Sequence, residues 1–154
     1  MELNWRKICC PVDFSPSSES ALRVAAALVR ELGADLTLLH VRTIPGSSIP
    51  EGLLEPTAES TGDVSGPADR RLVPWKAMAE TLGAARVEAA TSIGDPAQEI
   101  TTFARRGGFD VIVIGTHGRT GLKHAVLGSV AENVVRTAPC VVLSVTAEAA
   151  ARWK

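Results

Sequence analysis

The stretch DVIVIGTHGRTGLKHAVLGS, residues 110–129, decides the fold. Its first part, 110–115, is apolar almost throughout, the pattern of a strand covered on both faces in a parallel sheet. Four glycines, Gly115, Gly118, Gly121 and Gly128, are spread through the rest. Each gives up backbone entropy and side-chain packing, so something must come close to the backbone here. Ser129 and Glu132 then have the spacing of a capping box and open a helix reaching about Thr137. A strand, a glycine loop and a helix start in that order make an anion-binding concavity. Successive N–H groups line the turn, and the helix dipole favours negative charge at Gly128 and Ser129. Thr116, Thr120 and Ser129 add hydroxyls, and Arg119 and Lys123 add positive charge. A flexible glycine turn before a well-capped helix would use the same residues.

Working outward, short apolar runs alternate with helical periods. KICCPV (7–12) reads as the first strand. Ser15 and Pro16 are an N-cap and first-turn signal, and Ala21, Ala25, Leu28 and Leu32 follow at helical spacing until Gly33 stops the helix. DLTLLHV (35–41) is the second strand and ARVEAAT (85–91) the third. In the third, Arg86 and Glu88 alternate with Val87 and Ala89, which suits a sheet edge kept soluble by charge. A helix over roughly 67–82 carries Pro74, which predicts a kink or a split. Asp95 caps the next helix, with Pro96 in its first turn and Gln98 completing a capping box; Gly107 and Gly108 end it. CVVLSV (140–145) is the fifth strand.

Five strands separated by four helical segments predict a three-layer α/β domain with a doubly wound, five-stranded parallel sheet. Right-handed crossovers favour the order 3-2-1-4-5. The winding then reverses between strands 1 and 4, and ligands of such sheets bind outside the strand ends at that point. Asp13 follows strand 1 there, and the Gly115 loop follows strand 4. The 154 residues suit one domain spanning 1–154. Its rhythm is broken by a long loop at 43–66, rich in Pro, Gly and Ser, with Glu51, Glu55, Glu59 and Asp63 and no Lys or Arg. Such a loop is either a mobile flap or plain disorder.

The composition, 45% hydrophobic and 21% charged with a net charge of −1, argues for neither a nucleic-acid nor a membrane surface. The N-terminus is too short and polar for a signal peptide, and no apolar run reaches the roughly 18 residues of a membrane span. Cys9, Cys10 and Cys140 form no CxxC pair and no zinc spacing, and read as small buried hydrophobes in strands. Reduced thiols then point to the cytoplasm. There is no GxxxxGK[ST] and no GxGxxG after strand 1, which excludes the P-loop and the dinucleotide fingerprint. No pair of histidines has metal spacing: His40 faces the side of its strand opposite Val41, His117 lies in the glycine loop, and His124 reads as a surface turn.

The spacing Gly115-x2-Gly118-x9-Gly128-Ser129 matches the G-x2-G-x9-G-[S/T] signature of the ATP-binding branch of the universal stress protein family. PVDFSPSSESAL around Asp13, LLHV at strand 2, GDPAQEI, and GSVAENVVRTAPCVVLSV resemble that family as well, so that the likeness covers nearly the whole chain. Val141 stands where many members have a proline. The resemblance implies an adenine nucleotide α-hydrolase-like fold and a set of binding positions. Asp13 would hold the ribose, Pro11 would shape the adenosine pocket, and the backbone of Val41 would pair with adenine. Gly115, Thr116, His117, Gly118, Arg119, Thr120 and Gly121, with Gly128, Ser129 and Val130, would hold the phosphates of ATP, bridged by Mg²⁺ or Mn²⁺.

The function that follows is an ATP-binding stress protein acting as a nucleotide-dependent regulator or sensor. A slow ATPase or nucleotidyl transferase is the enzymatic alternative, with no candidate general base: Asp13 is taken by the ribose and Glu132 by the capping box. HxGH and SGGxDS, marks of related nucleotide enzymes, are absent. A nucleotide-independent dimeric interaction module is the third reading. A receiver domain would want paired acidic residues after strand 1 and a lysine after strand 5, where this sequence has only Asp13 and Ser144-Val145. The uncharged fifth strand, Val141–Val145, would be an exposed edge that invites pairing. Family members commonly dimerise through it, which implies a homodimer.

Overall fold

The Ser15 hydroxyl accepts a hydrogen bond from the Ser18 amide at 3.2 Å and so starts the first helix. Such a cap contributes about 1 kcal/mol. In the computed structural model, which describes residues 3–43, 69–117 and 127–152, local signals of this kind set most element boundaries. The order is β1 (Lys7–Pro11), α1 (Pro16–Leu32), β2 (Asp35–Arg42), α2 (Leu72–Thr81), β3 (Val87–Ile93), α3 (Pro96–Gly107), β4 (Val111–Gly115), α4 (Ser129–Thr137), β5 (Val141–Val145) and α5 (Ala147–Ala151). Gly33 and Gly108 close α1 and α3 in the left-handed conformation, at φ 64° and 61°. Asp95 caps α3 by accepting from the Gln98 amide at 3.0 Å.

The five strands pair in parallel in the expected order β3-β2-β1-β4-β5. Alternation along each strand divides the core in two. Ile8, Cys10, Leu36, Leu38, Val111 and Val113 face α1 and α2. Cys9, Leu39, Ile112 and Ile114 face α3 and α4. Each face is closed by a helical layer, which is why the inner strands β1 and β4 are apolar throughout their centres. Cys9 and Cys10 are fully buried, and burial pushes the Cys10 thiol up to about 12. The edges are β3, where Glu88 is exposed, and β5, where Val141 is 47% exposed.

Four local expectations need correction. Ser129 does not cap α4. Gly128 is the N-cap and Ser129 the first helical residue, while Glu132 pairs with Arg136 one turn on, at 2.9 Å. The shift by one residue takes Glu132 out of capping-box register. Pro74 neither kinks nor splits a helix. It lies in the first turn of a single α2, where an N–H has no acceptor within the helix and a proline removes no bond. The third strand begins at Val87 and runs to Ile93. Arg86 stays in the preceding turn, held by the Asp35 carboxylate and by the Gly33 carbonyl at 3.1 Å. Finally a fifth helix, α5, follows β5, capped by the Thr146 hydroxyl, which accepts from the Ala149 amide at 3.0 Å. The acidic part of the loop at 43–66 lies outside the described residues.

Candidate functional site

β1 and β4 are neighbours, and the chain leaves them toward opposite halves of the sheet. Beyond their carboxyl ends opens a cavity of about 570 Å³. Pro11, Asp13, Val41, Gly115, Thr116, His117, Gly128, Ser129 and Val130 all line it. The structure therefore brings together every described residue that the sequence singled out. Gly118, Arg119, Thr120 and Gly121 lie outside the described residues.

The turn after β1 carries Asp13. Its Oδ1 accepts from the Ser15 amide at 3.0 Å. The next residue, Phe14, has φ 65°, the one non-glycine residue with positive φ among those described. For a bulky side chain this conformation is an outlier, costing about 1–3 kcal/mol. The surrounding packing offsets it. The Phe14 ring lies 4.6 Å from the His40 ring and 5.6 Å from that of Trp75, edge-on. The Arg71 guanidinium sits over its face at 4.6 Å.

His40 and Arg71 are themselves held. His40 Nδ1 lies 2.9 Å from the Val12 carbonyl, which can only accept, so Nδ1 carries the proton. Nε2 then accepts from Arg71 Nη2 at 3.2 Å. Arg71 also grips Asp69 through Nε and Nη2, the latter at 2.6 Å. These hydrogen bonds hold the Asp69 carboxyl down at about 2. His40 and Arg71 line the cavity too, and sequence reasoning did not place them there. The only sequence signal was that His40 shares its face of β2 with the core residues Leu36 and Leu38.

Val41 offers a backbone edge. In a parallel ladder the N–H and C=O of one residue point to the same side, and alternate residues share that side. Leu39 points toward β1, since its carbonyl accepts from Val12 at 2.8 Å. Val41 points the same way, but β1 has ended at Pro11. One donor and one acceptor therefore face the cavity without a strand to pair them. Pro96 and Ile100 of α3 supply an apolar wall.

The β4 side is built from backbone. The Thr116 amide donates to the Val145 carbonyl at 3.1 Å, and the Gly128 amide to the Thr116 carbonyl at 2.6 Å. The loop between Thr116 and Gly128 is thus pinned at its ends. The His117 amide donates to Ser17 Oγ at 3.1 Å, and its Nδ1 is 2.9 Å from Thr116 Oγ1. Beyond Gly128 the first turn of α4 has N–H groups with no acceptor inside the helix, and the helix dipole adds positive potential. Gly115 has its own reason to be glycine. A Cβ there would lie 2.5 Å from Ser17 Oγ and 2.6 Å from the Ser17 carbonyl oxygen. The close approach that this glycine permits is that of α1.

The model of the family described as "Universal stress protein family" matches residues 4–146. The chain belongs to the universal stress protein family. Universal stress protein MJ0531 of Methanocaldococcus jannaschii is 36% identical over 143 residues, covering 92% of this chain and 82% of that protein. The solved structure of MJ0577, from the same organism, aligns with a TM-score of 0.73 at 32% identity, covering 94% of this chain and 97% of that one. A universal stress protein of Archaeoglobus fulgidus, solved in complex with dAMP, shares the fold with a TM-score of 0.61 at 24% identity, covering 92% of this chain and 98% of that one. Among the described residues, no helix is long and apolar enough to cross a membrane.

Proposed function

We propose that this universal stress protein binds ATP in the cavity at the switch point and works as a nucleotide-dependent regulator or sensor in the cytoplasm. The observation that carries the reading is the order of groups along that cavity. The unpaired Val41 edge suits the amino and ring-nitrogen edge of adenine. The Asp13 carboxylate suits ribose hydroxyls. The first turn of α4 suits a triphosphate, and the glycine spacing read in the sequence after β4 accords with it. The dAMP complex of the Archaeoglobus fulgidus protein is in keeping with an adenine ligand. Among the described residues no cluster of His, Cys, Asp or Glu could hold a metal by itself. Mg²⁺ or Mn²⁺ would accordingly enter on the phosphates, neutralising their charge. Asp13, the one carboxylate among the described residues lining the cavity, is assigned here to the ribose, so that a binding role is favoured over a slow ATPase.

Titration of the purified protein with ATP and Mg²⁺ in a calorimeter tests the reading directly. Saturable binding is expected; an affinity weaker than about a millimolar overturns it. We further propose a homodimer through β5, whose Val141 is a half-exposed apolar residue on an open edge. Light scattering at micromolar concentration should give twice the chain mass, and a stable monomer refutes the dimer.

A further inference from the structure

We infer that Phe14, clamped by His40, Arg71 and Trp75, is a positioning residue that sets Asp13 for the sugar of the bound nucleotide. The inference rests on the proposed role of Asp13 and adds how that role is maintained. A glycine at this position would adopt φ 65° without cost, yet the chain has a phenylalanine there. Strain of this kind persists only where the surroundings over-determine it. Here three side chains from β2 and from α2 and its N-cap meet the Phe14 ring, at 4.6, 4.6 and 5.6 Å. His40 is additionally bonded to the Val12 carbonyl at 2.9 Å. The clamp therefore holds the residues on both sides of Asp13, Val12 from the strand side and Phe14 from the helix side. Between those fixed points the Asp13 carboxylate has little freedom, which favours hydrogen bonds to a pair of neighbouring hydroxyls.

The test compares ATP with 2′,3′-dideoxy-ATP in the whole protein and its variants, by calorimetry. Wild type should prefer ATP by about tenfold or more. Phe14→Gly, which relieves the strained backbone and releases the clamp, should bring that preference below about threefold while leaving dideoxy-ATP affinity near wild type. Phe14→Tyr keeps the ring and should keep the preference. Phe14→Leu keeps apolar bulk without a ring face and serves if the glycine variant does not fold; it too should lose the preference. A variant that folds, lacks the ring and still prefers ATP as strongly as wild type overturns the inference. A wild type that binds both ligands equally overturns it as well, since Asp13 then holds no hydroxyl. Failure to bind ATP at all strikes the proposed function itself, so the two failures are distinguishable.

Discussion

The turn after β1 and the described ends of the segment joining β4 to α4 both line the cavity and are built in opposite ways. The first is four residues long, Val12 to Ser15, and is shaped by side chains: a carboxylate, a strained aromatic and the His40–Arg71–Asp69 chain behind it. The second is anchored by backbone, with Thr116 bonded to Val145 and to Gly128. Side chains read a ligand by the placement of a few polar atoms, and each one matters. Backbone N–H groups at a helix start read negative charge, and substituting a side chain leaves them in place. If the protein binds ATP as proposed, this difference would put selectivity for the nucleoside on the β1 side and affinity for phosphate on the β4 side.

The largest expected effect breaks or confirms that division directly. Asp13→Ala should weaken ATP on the order of 100-fold, the size of a lost hydrogen-bonding pair to a charged group, about 2.7 kcal/mol. Ser129→Ala should cost no more than about fivefold, because the Ser129 amide remains. Equal losses in the same titration would erase the contrast.

The next effect separates two glycines of one motif. Gly115→Ala places a Cβ 2.5 Å from Ser17 Oγ. It should destabilise the fold by about 1–3 kcal/mol, a fall in melting temperature of roughly 3–10 °C for a chain of this size. Gly128 has φ −68°, open to any residue, so Gly128→Ala should cost only about 0.5–1 kcal/mol through a poorer N-cap. Thermal unfolding of the two variants side by side sharpens the comparison, and a larger loss at Gly128 would reverse it.

The smallest effect concerns the side chains behind Phe14. Asp69 has a depressed carboxyl, so the stabilisation from its pairing with Arg71 is complete above its ordinary value of 3.8 and disappears as pH falls through about 2. Following the Asp69 carboxyl by NMR should show a midpoint near 2 in wild type. In Arg71→Gln the midpoint should return toward 3.8, because the guanidinium bonds are the largest cause of the shift. A midpoint unmoved by that substitution would mean that Arg71 does not anchor this wall.

The sheet order was legible because each strand is an apolar run between turn signals, and only a few topologies satisfy right-handed crossovers. The site was legible in part. Asp13 and the glycine spacing stood out, since one follows a predicted strand at the switch point and the other has fixed distances along the chain, and the family resemblance added Val41. His40 and Arg71 did not, because they are 31 residues apart and meet only through the packing of α2 on β2. Glu132 misled for a local reason: Ser129 and Glu132 have capping-box spacing, but Gly128 took the cap and put Ala131, not Glu132, three residues on.

The sequence by itself therefore determined what can be decided within one or two turns: the caps at Ser15 and Asp95, the stops at Gly33 and Gly108, the apolar strands and the glycine spacing. These depend on hydrogen bonds between residues a few positions apart. Only the tertiary structure decided why Gly115 must lack a side chain, why Phe14 can occupy a left-handed conformation and why the Val41 edge is left unpaired. Each of those depends on where another element stops or how closely it approaches. Ser17, for example, meets His117 across 100 residues of chain. Separations of that length are set by the packing of the sheet and its helices, which no local pattern encodes.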